Sequence, residues 1–190
     1  MRSNTKLQPE TASQTAGPYV HIGLAPQAAG FDIYDVASGA DIAGPDAKGD
    51  RIRVEGTVWD GDGVPVKDVL IETWQANADG VFAGQGAVEA GFRGWGRIVS
   101  DFDTGEWGFD TVIPGPVAGQ APHVSLWIVA RGINIGLHTR LYFADDPSDP
   151  VLSALDPAAR ATLIATETAP GLYRFDIHLQ GARETVFFDV

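Results

Sequence analysis

The chain has 190 residues, 25 acidic and 13 basic, giving a formal net charge of −12. That length suits one domain with a sizeable core, and a hydrophobic share of 44% is ordinary for a globular protein. The charge excludes binding nucleic acid by replacing phosphate counterions. The absence of cysteine excludes disulfides and thiolate chemistry, and no apolar run reaches membrane-span length.

In chain order, residues 1–18 and 25–49 read as extended arms or long loops that need a partner to lie on. The first 18 residues have no apolar signal-like stretch, so a cytoplasmic location is expected. The segment SQTAGPYVHIGL, Ser13 to Leu24, sets Ser, Thr, Gly and Pro in succession. Such a bend exposes backbone N–H groups and can line a small-ligand pocket, or it can simply cap the body of the domain.

From Arg51 the pattern becomes short β-branched and aromatic runs broken by Gly, Asp, Asn and Pro. RIRVEGTVWD (Arg51 to Asp60) alternates Ile52, Val54 and Val58 with charged or small neighbours, then meets the turn Asp60-Gly61-Asp62-Gly63. VLIETW (Val69 to Trp74) is a second strand. GRIVSDFDTGEWGFDTVIPG reads as a hairpin turning at Asp103-Thr104-Gly105. HVSLWIVAR (His123 to Arg131) is almost continuously apolar, which predicts a central strand covered on both faces. TRLYFADD, GLYRFDIHLQG and ETVFFDV complete seven or eight strands. One helix is expected between Asp156 and Ala165, with Asp156 as N-cap and Pro157 in the first helical position. The fold class is an all-β antiparallel sandwich, one domain over residues 1–190 with residues 1–50 as arm and loops.

The Asp-rich turns lack the spaced carbonyls and bidentate Glu of a calcium loop, and turn formation accounts for them. The four histidines, His21, His123, His138 and His178, show no spacing that puts two imidazoles on one face of a strand or helix. Ser100 and Ser125 lie in no nucleophile-elbow pattern. Arg131 follows the long apolar strand directly, where its paired N–H donors could grip a carboxylate or form an ordinary salt bridge. An acidic surface repels anions at long range, so a carboxylate ligand requires such a local cation.

Taken together, SQTAGPYVHIGL, VWDGDGVPVKDVLIETWQANADG, WGFDTVIPGPV, APHVSLWIVARGINIGLHTRLYF and YRFDIHLQGARETVFFDV resemble the intradiol ring-cleavage dioxygenases over nearly the whole chain. Within that family they resemble the alpha type of subunit of enzymes acting on protocatechuate. The resemblance implies pairs of homologous alpha and beta subunits in a larger oligomer. It implies a non-haem Fe(III) held on the beta subunit by two tyrosines and two histidines, phenolate being a suitable donor for a hard ferric ion. The implied reaction opens protocatechuate with O2 between its hydroxyl-bearing carbons, giving 3-carboxy-cis,cis-muconate in the beta-ketoadipate route of aromatic catabolism.

In this chain the implied ligand positions read Phe82, Val117, His123 and Ser125, with Gln120 where a basic residue would stand, and the Val117–His123 loop reads as shortened. Three of four donors are missing, so the resemblance implies that this chain binds no metal, has no catalytic residue of its own and is inactive alone. It further implies that Thr15, Ala16, Gly17, Pro18 and Arg131 line the beta subunit's substrate pocket. Two other readings compete: a β-sandwich module that binds aromatics without catalysis, and a stand-alone catechol or hydroxyquinol dioxygenase.

Overall fold

The computed structural model describes residues 15–35, 37, 39–87 and 89–190. Ser13, Gln14 and the rest of the expected N-terminal arm up to residue 14 lie outside the described residues.

Among the described residues, nine strands form two sheets. They are β1 (Arg51–Trp59), β2 (Leu70–Gln75), β3 (Trp95–Val99), β4 (Glu106–Val112), β5 (His123–Val129), β6 (Leu137–Tyr142), β7 (Thr166–Ala169), β8 (Leu172–Arg174) and β9 (Ile177–His178). The first sheet runs β4-β1-β8-β7, with β9 also on β1; the second runs β3-β2-β5-β6. Val54, Val58, Trp107 and Phe109 of the first sheet belong to one buried cluster with Ile71, Val124, Leu126, Ile128 and Leu141 of the second. This is the sandwich that the alternating runs predict.

A buried polar stitch joins the layers. Gln75, at the end of β2, donates from Nε2 to the carbonyl oxygen of Val112 (3.0 Å) and accepts from Thr111 Oγ1 (2.8 Å) on β4. Its amide is thus satisfied where an unpaired one would cost about 1–3 kcal/mol.

Several expectations are corrected. The run around Asp103-Thr104-Gly105 is a corner between sheets and not a hairpin of paired strands, because β3 pairs with β2 while β4 pairs with β1. The turn itself forms locally: Asp101 Oδ1 accepts from the backbone N–H of Asp103 and Thr104. The two sheets are rich in antiparallel pairs, as expected. Within the first, β8 and β9 run parallel to β1. The central position of β5, between β2 and β6, is as expected, but Ser125, Trp127 and Val129 are only half-buried, so one face alone is fully covered. The last segment, Glu184 to Val190, joins neither sheet; it is tied by a reciprocal pair of hydrogen bonds between Thr185 and His178, by Phe188 N–H to the His138 carbonyl, and by Val186 to the hydroxyls of Thr139 and Thr162.

Helix α2 (Pro157–Ala161) starts where the N-cap signal puts it, Asp156 Oδ1 accepting from Ala158 N–H (2.9 Å) and Ala159 N–H (3.0 Å). The other helix, α1 (Pro18–Leu24), lies inside the stretch read as arm. Two turns are too few to show a helical period, and only Pro18, fixed at the helical φ, marks the start. No helix among the described residues is long and apolar enough to cross a membrane.

Candidate functional site

Two places on this scaffold collect the residues singled out above. The first is a cavity of about 350 Å³ between α1, the β3–β4 corner and the end of β5. Ala16, Gly17 and Pro18 form one wall and Arg131 another, so four of the five expected pocket residues line a single space. The fifth, Thr15, fastens it: Thr15 Oγ1 accepts from the backbone N–H of Gly132 at 2.7 Å, holding the bend before α1 against the residue after Arg131. The remaining walls are mostly apolar, including Ile22, Phe31 and Phe102.

Arg131 forms the ordinary salt bridge that its sequence position allows, and it also lines the cavity. Its Nε lies 3.3 Å from Asp68 Oδ2, an ordinary ion pair, yet its side chain is 79% exposed. The pair engages the guanidinium through Nε, and a guanidinium carries further N–H donors of the paired geometry that suits a carboxylate.

His21 was not singled out by sequence reasoning. It is 7% exposed, packs edge-on against Phe102 with ring centroids 5.4 Å apart, and its Nε2 has no partner among the described residues. Burial holds its pKa below the ordinary value of 6.5, opposed in part by the nearby Asp68 carboxylate. Nothing in a lone histidine within SQTAGPYVHIGL signals this burial, because the helix that turns it inward is itself invisible in the sequence.

The second place is the stretch of the second sheet around Ser125 and His123 on β5, with Phe82 and Val117 reaching it from loops. Trp74 on β2, Ser125 on β5 and Arg140 on β6 are register partners across adjacent strands and share a face. Phe82 stacks on Trp74, with centroids 6.0 Å apart and the planes parallel. Val117 is bridged to Gln120, and Gln120 Oε1 accepts from Arg140 Nη1 at 2.8 Å. His123 is buried one step along β5, its ring 5.3 Å from that of Tyr142.

The donor chemistry of this stretch does not fit a ferric ion. A phenyl ring and an isopropyl group donate no electron pair, and Ser125 offers only a neutral hydroxyl. His123 Nδ1 is 2.8 Å from the Ala121 carbonyl, which fixes Nδ1 as the protonated nitrogen and leaves only Nε2 free. Burial lowers the His123 pKa foremost, the Arg140 charge lowers it further, and the Ala121 bond and Asp149 oppose. Tyr142, the one phenol here, is fully buried; burial raises its pKa, and its Oη accepts from Arg140 Nη1 at 3.2 Å. The loop over the site is pinned by Asp149, which accepts from the backbone N–H of Ala121 (2.8 Å), Val151 and Leu152.

Known proteins with the same sequence pattern bear on both places. The family model described as Dioxygenase matches residues 34–181. The protocatechuate 3,4-dioxygenase alpha chain of Pseudomonas putida is 48% identical over 197 aligned residues, covering 97% of this chain and 98% of that one. The protocatechuate 3,4-dioxygenase beta chain of Burkholderia cepacia is 34% identical, covering 72% of this chain and 67% of its own length. Among solved structures, an intradiol ring-cleavage dioxygenase from Tetranychus urticae superimposes with a TM-score of 0.60 at 16% identity, over 77% of this chain and 90% of that one. At that identity the superposition speaks for the fold alone.

Proposed function

The chain belongs to the intradiol dioxygenase family, and from that premise we propose that it is the alpha-type subunit of a protocatechuate 3,4-dioxygenase. The observation that carries this reading is 48% identity to an alpha chain over essentially the full length of both proteins. The family is one of non-haem iron enzymes, and the iron of this enzyme is assigned to a homologous beta-type partner. The stretch around Phe82, Val117, His123 and Ser125 lacks the donors for it.

This chain's contribution is to binding and orientation. The Thr15–Pro18 bend and Arg131 form a wall that closes over the partner's substrate pocket, as their shared cavity supports. The apolar lining excludes water from the ring of the substrate, and Arg131 faces its carboxylate. A guanidinium at that mouth gives an anion a local point of attraction on a chain whose net charge of −12 repels it at long range.

The test is steady-state kinetics of the assembled enzyme carrying Arg131→Ala. A guanidinium that holds the carboxylate in both ground and transition state contributes uniform binding, so its loss raises KM with little change in kcat. A charge-assisted hydrogen bond is worth about 1.5–3 kcal/mol, so KM is expected to rise by about tenfold or more. An unchanged KM removes Arg131 from the pocket. Catechol, which has no carboxylate, should show almost none of the effect.

A further inference from the structure

The metal-free stretch of the second sheet is not merely a site from which ligands have been lost. We propose that Arg140 is its resident cation: the guanidinium takes up the space and the charge that a metal would otherwise supply, and it keeps any other cation out. This rests on reading residues 82, 117, 123 and 125 as former ligand positions, and is independent of the role given to Arg131.

Four contacts place the guanidinium there. Arg140 is the direct cross-strand partner of Ser125, and such pairs have Cβ atoms about 4.5–5.5 Å apart. Its Nη1 donates to Gln120 Oε1 at 2.8 Å, so the residue standing where a basic one is implied has become an acceptor for a cation from the neighbouring strand. The same Nη1 lies 3.2 Å from Tyr142 Oη, the phenol packed against His123. On its other side the guanidinium lies over the ring of Phe188, 5.9 Å from the centroid, a favourable cation–π placement. One side chain therefore ties together β5, the Val117–Gln120 loop, Tyr142 and the C-terminal segment, four parts of the chain that a metal and its ligands could also crosslink.

The electrostatic consequence is direct. A positive charge on the cross-strand partner of Ser125, held to the phenol that packs on His123, repels any cation brought to those two residues. Restoring ligands on this chain is then insufficient, because the place is already taken.

The experiment uses the full chain with Ser125→His, which puts two imidazoles at positions i and i+2 on one strand face, where both can reach one ion. Zn2+ binding is measured by titration calorimetry for this variant, for the same variant with Arg140→Gln, and for the same variant with Arg140→Lys. The expected result is at least tenfold tighter Zn2+ binding with Arg140→Gln and no gain with Arg140→Lys, which keeps the charge. Equal affinities with Arg and Gln at position 140 would overturn the inference. Failure of both to bind Zn2+ would overturn it too, by showing that His123 and position 125 do not address a common point. Near-UV circular dichroism checks folding, and Arg140→Met, which keeps the apolar stem over Phe188, replaces the Gln variant if that one unfolds.

Discussion

Single residues in this protein set its behaviour in acid. His21 and His123 are both held below the ordinary imidazole value of 6.5, in each case chiefly by burial. Folded, both are neutral near pH 7. As pH falls below about 6.5 the unfolded chain takes up protons that the folded chain cannot yet accept. The stability present above 6.5 is therefore lost progressively as pH falls toward the lowered folded values, and no further loss from these groups follows below them. The urea midpoint is expected to be lower at pH 5.5 than at pH 7.5, and His21→Gln should narrow that difference; identical midpoints at the two pH values would contradict it. The chemistry at Phe82, Val117 and Ser125 was legible in the sequence, since residue type alone decides whether an atom can donate to a metal. Arg140 was not, because its importance comes from being opposite Ser125 and within reach of Gln120, 20 residues away in sequence.

At the level of elements, β1 is the most tightly constrained. It pairs with β4 on one edge and with β8 and β9 on the other. Gly56 sits at its middle, where a Cβ would run into the Phe175 carbonyl oxygen and lie 2.7 Å from the Trp107 ring. The carbonyl belongs to the backbone between β8 and β9 and cannot rotate away. Gly56→Ala is thus expected to destabilise the fold by about 3 kcal/mol or more, read as a drop in the denaturant midpoint with an unchanged slope. A loss below about 0.5 kcal/mol would mean that the β1–β9 pairing is easily displaced. Strands from 51 to 142 were readable because their alternation is the direct imprint of a half-buried sheet. The sheet switch at Asp103-Thr104-Gly105 was not, since the same turn residues close a hairpin or a corner. Helix α1 is too short for any period to register, whereas α2 announces itself through the Asp156-Pro157 cap.

The described residues leave several large hydrophobic side chains exposed on and just after α1: Tyr19 is 83% exposed, Ile33 63% and Tyr34 60%. Large aromatic side chains left in water are what a partner would bury. Co-expression with a beta-type chain is expected to give a stable complex by size-exclusion chromatography. Tyr19→Asp should weaken that complex by at least tenfold without altering the circular dichroism of this chain, and an unaffected complex would put the interface elsewhere. By itself the sequence determined the all-β class and the family, because composition, alternation and residue type are local properties. The tertiary structure decided what those residues face: that Ala16 to Pro18 and Arg131 share one cavity, that β8 and β9 run parallel to β1, and that Arg140 stands opposite Ser125. Those facts depend on contacts between segments far apart in the chain, and such contacts are fixed only when the two sheets close on their common core.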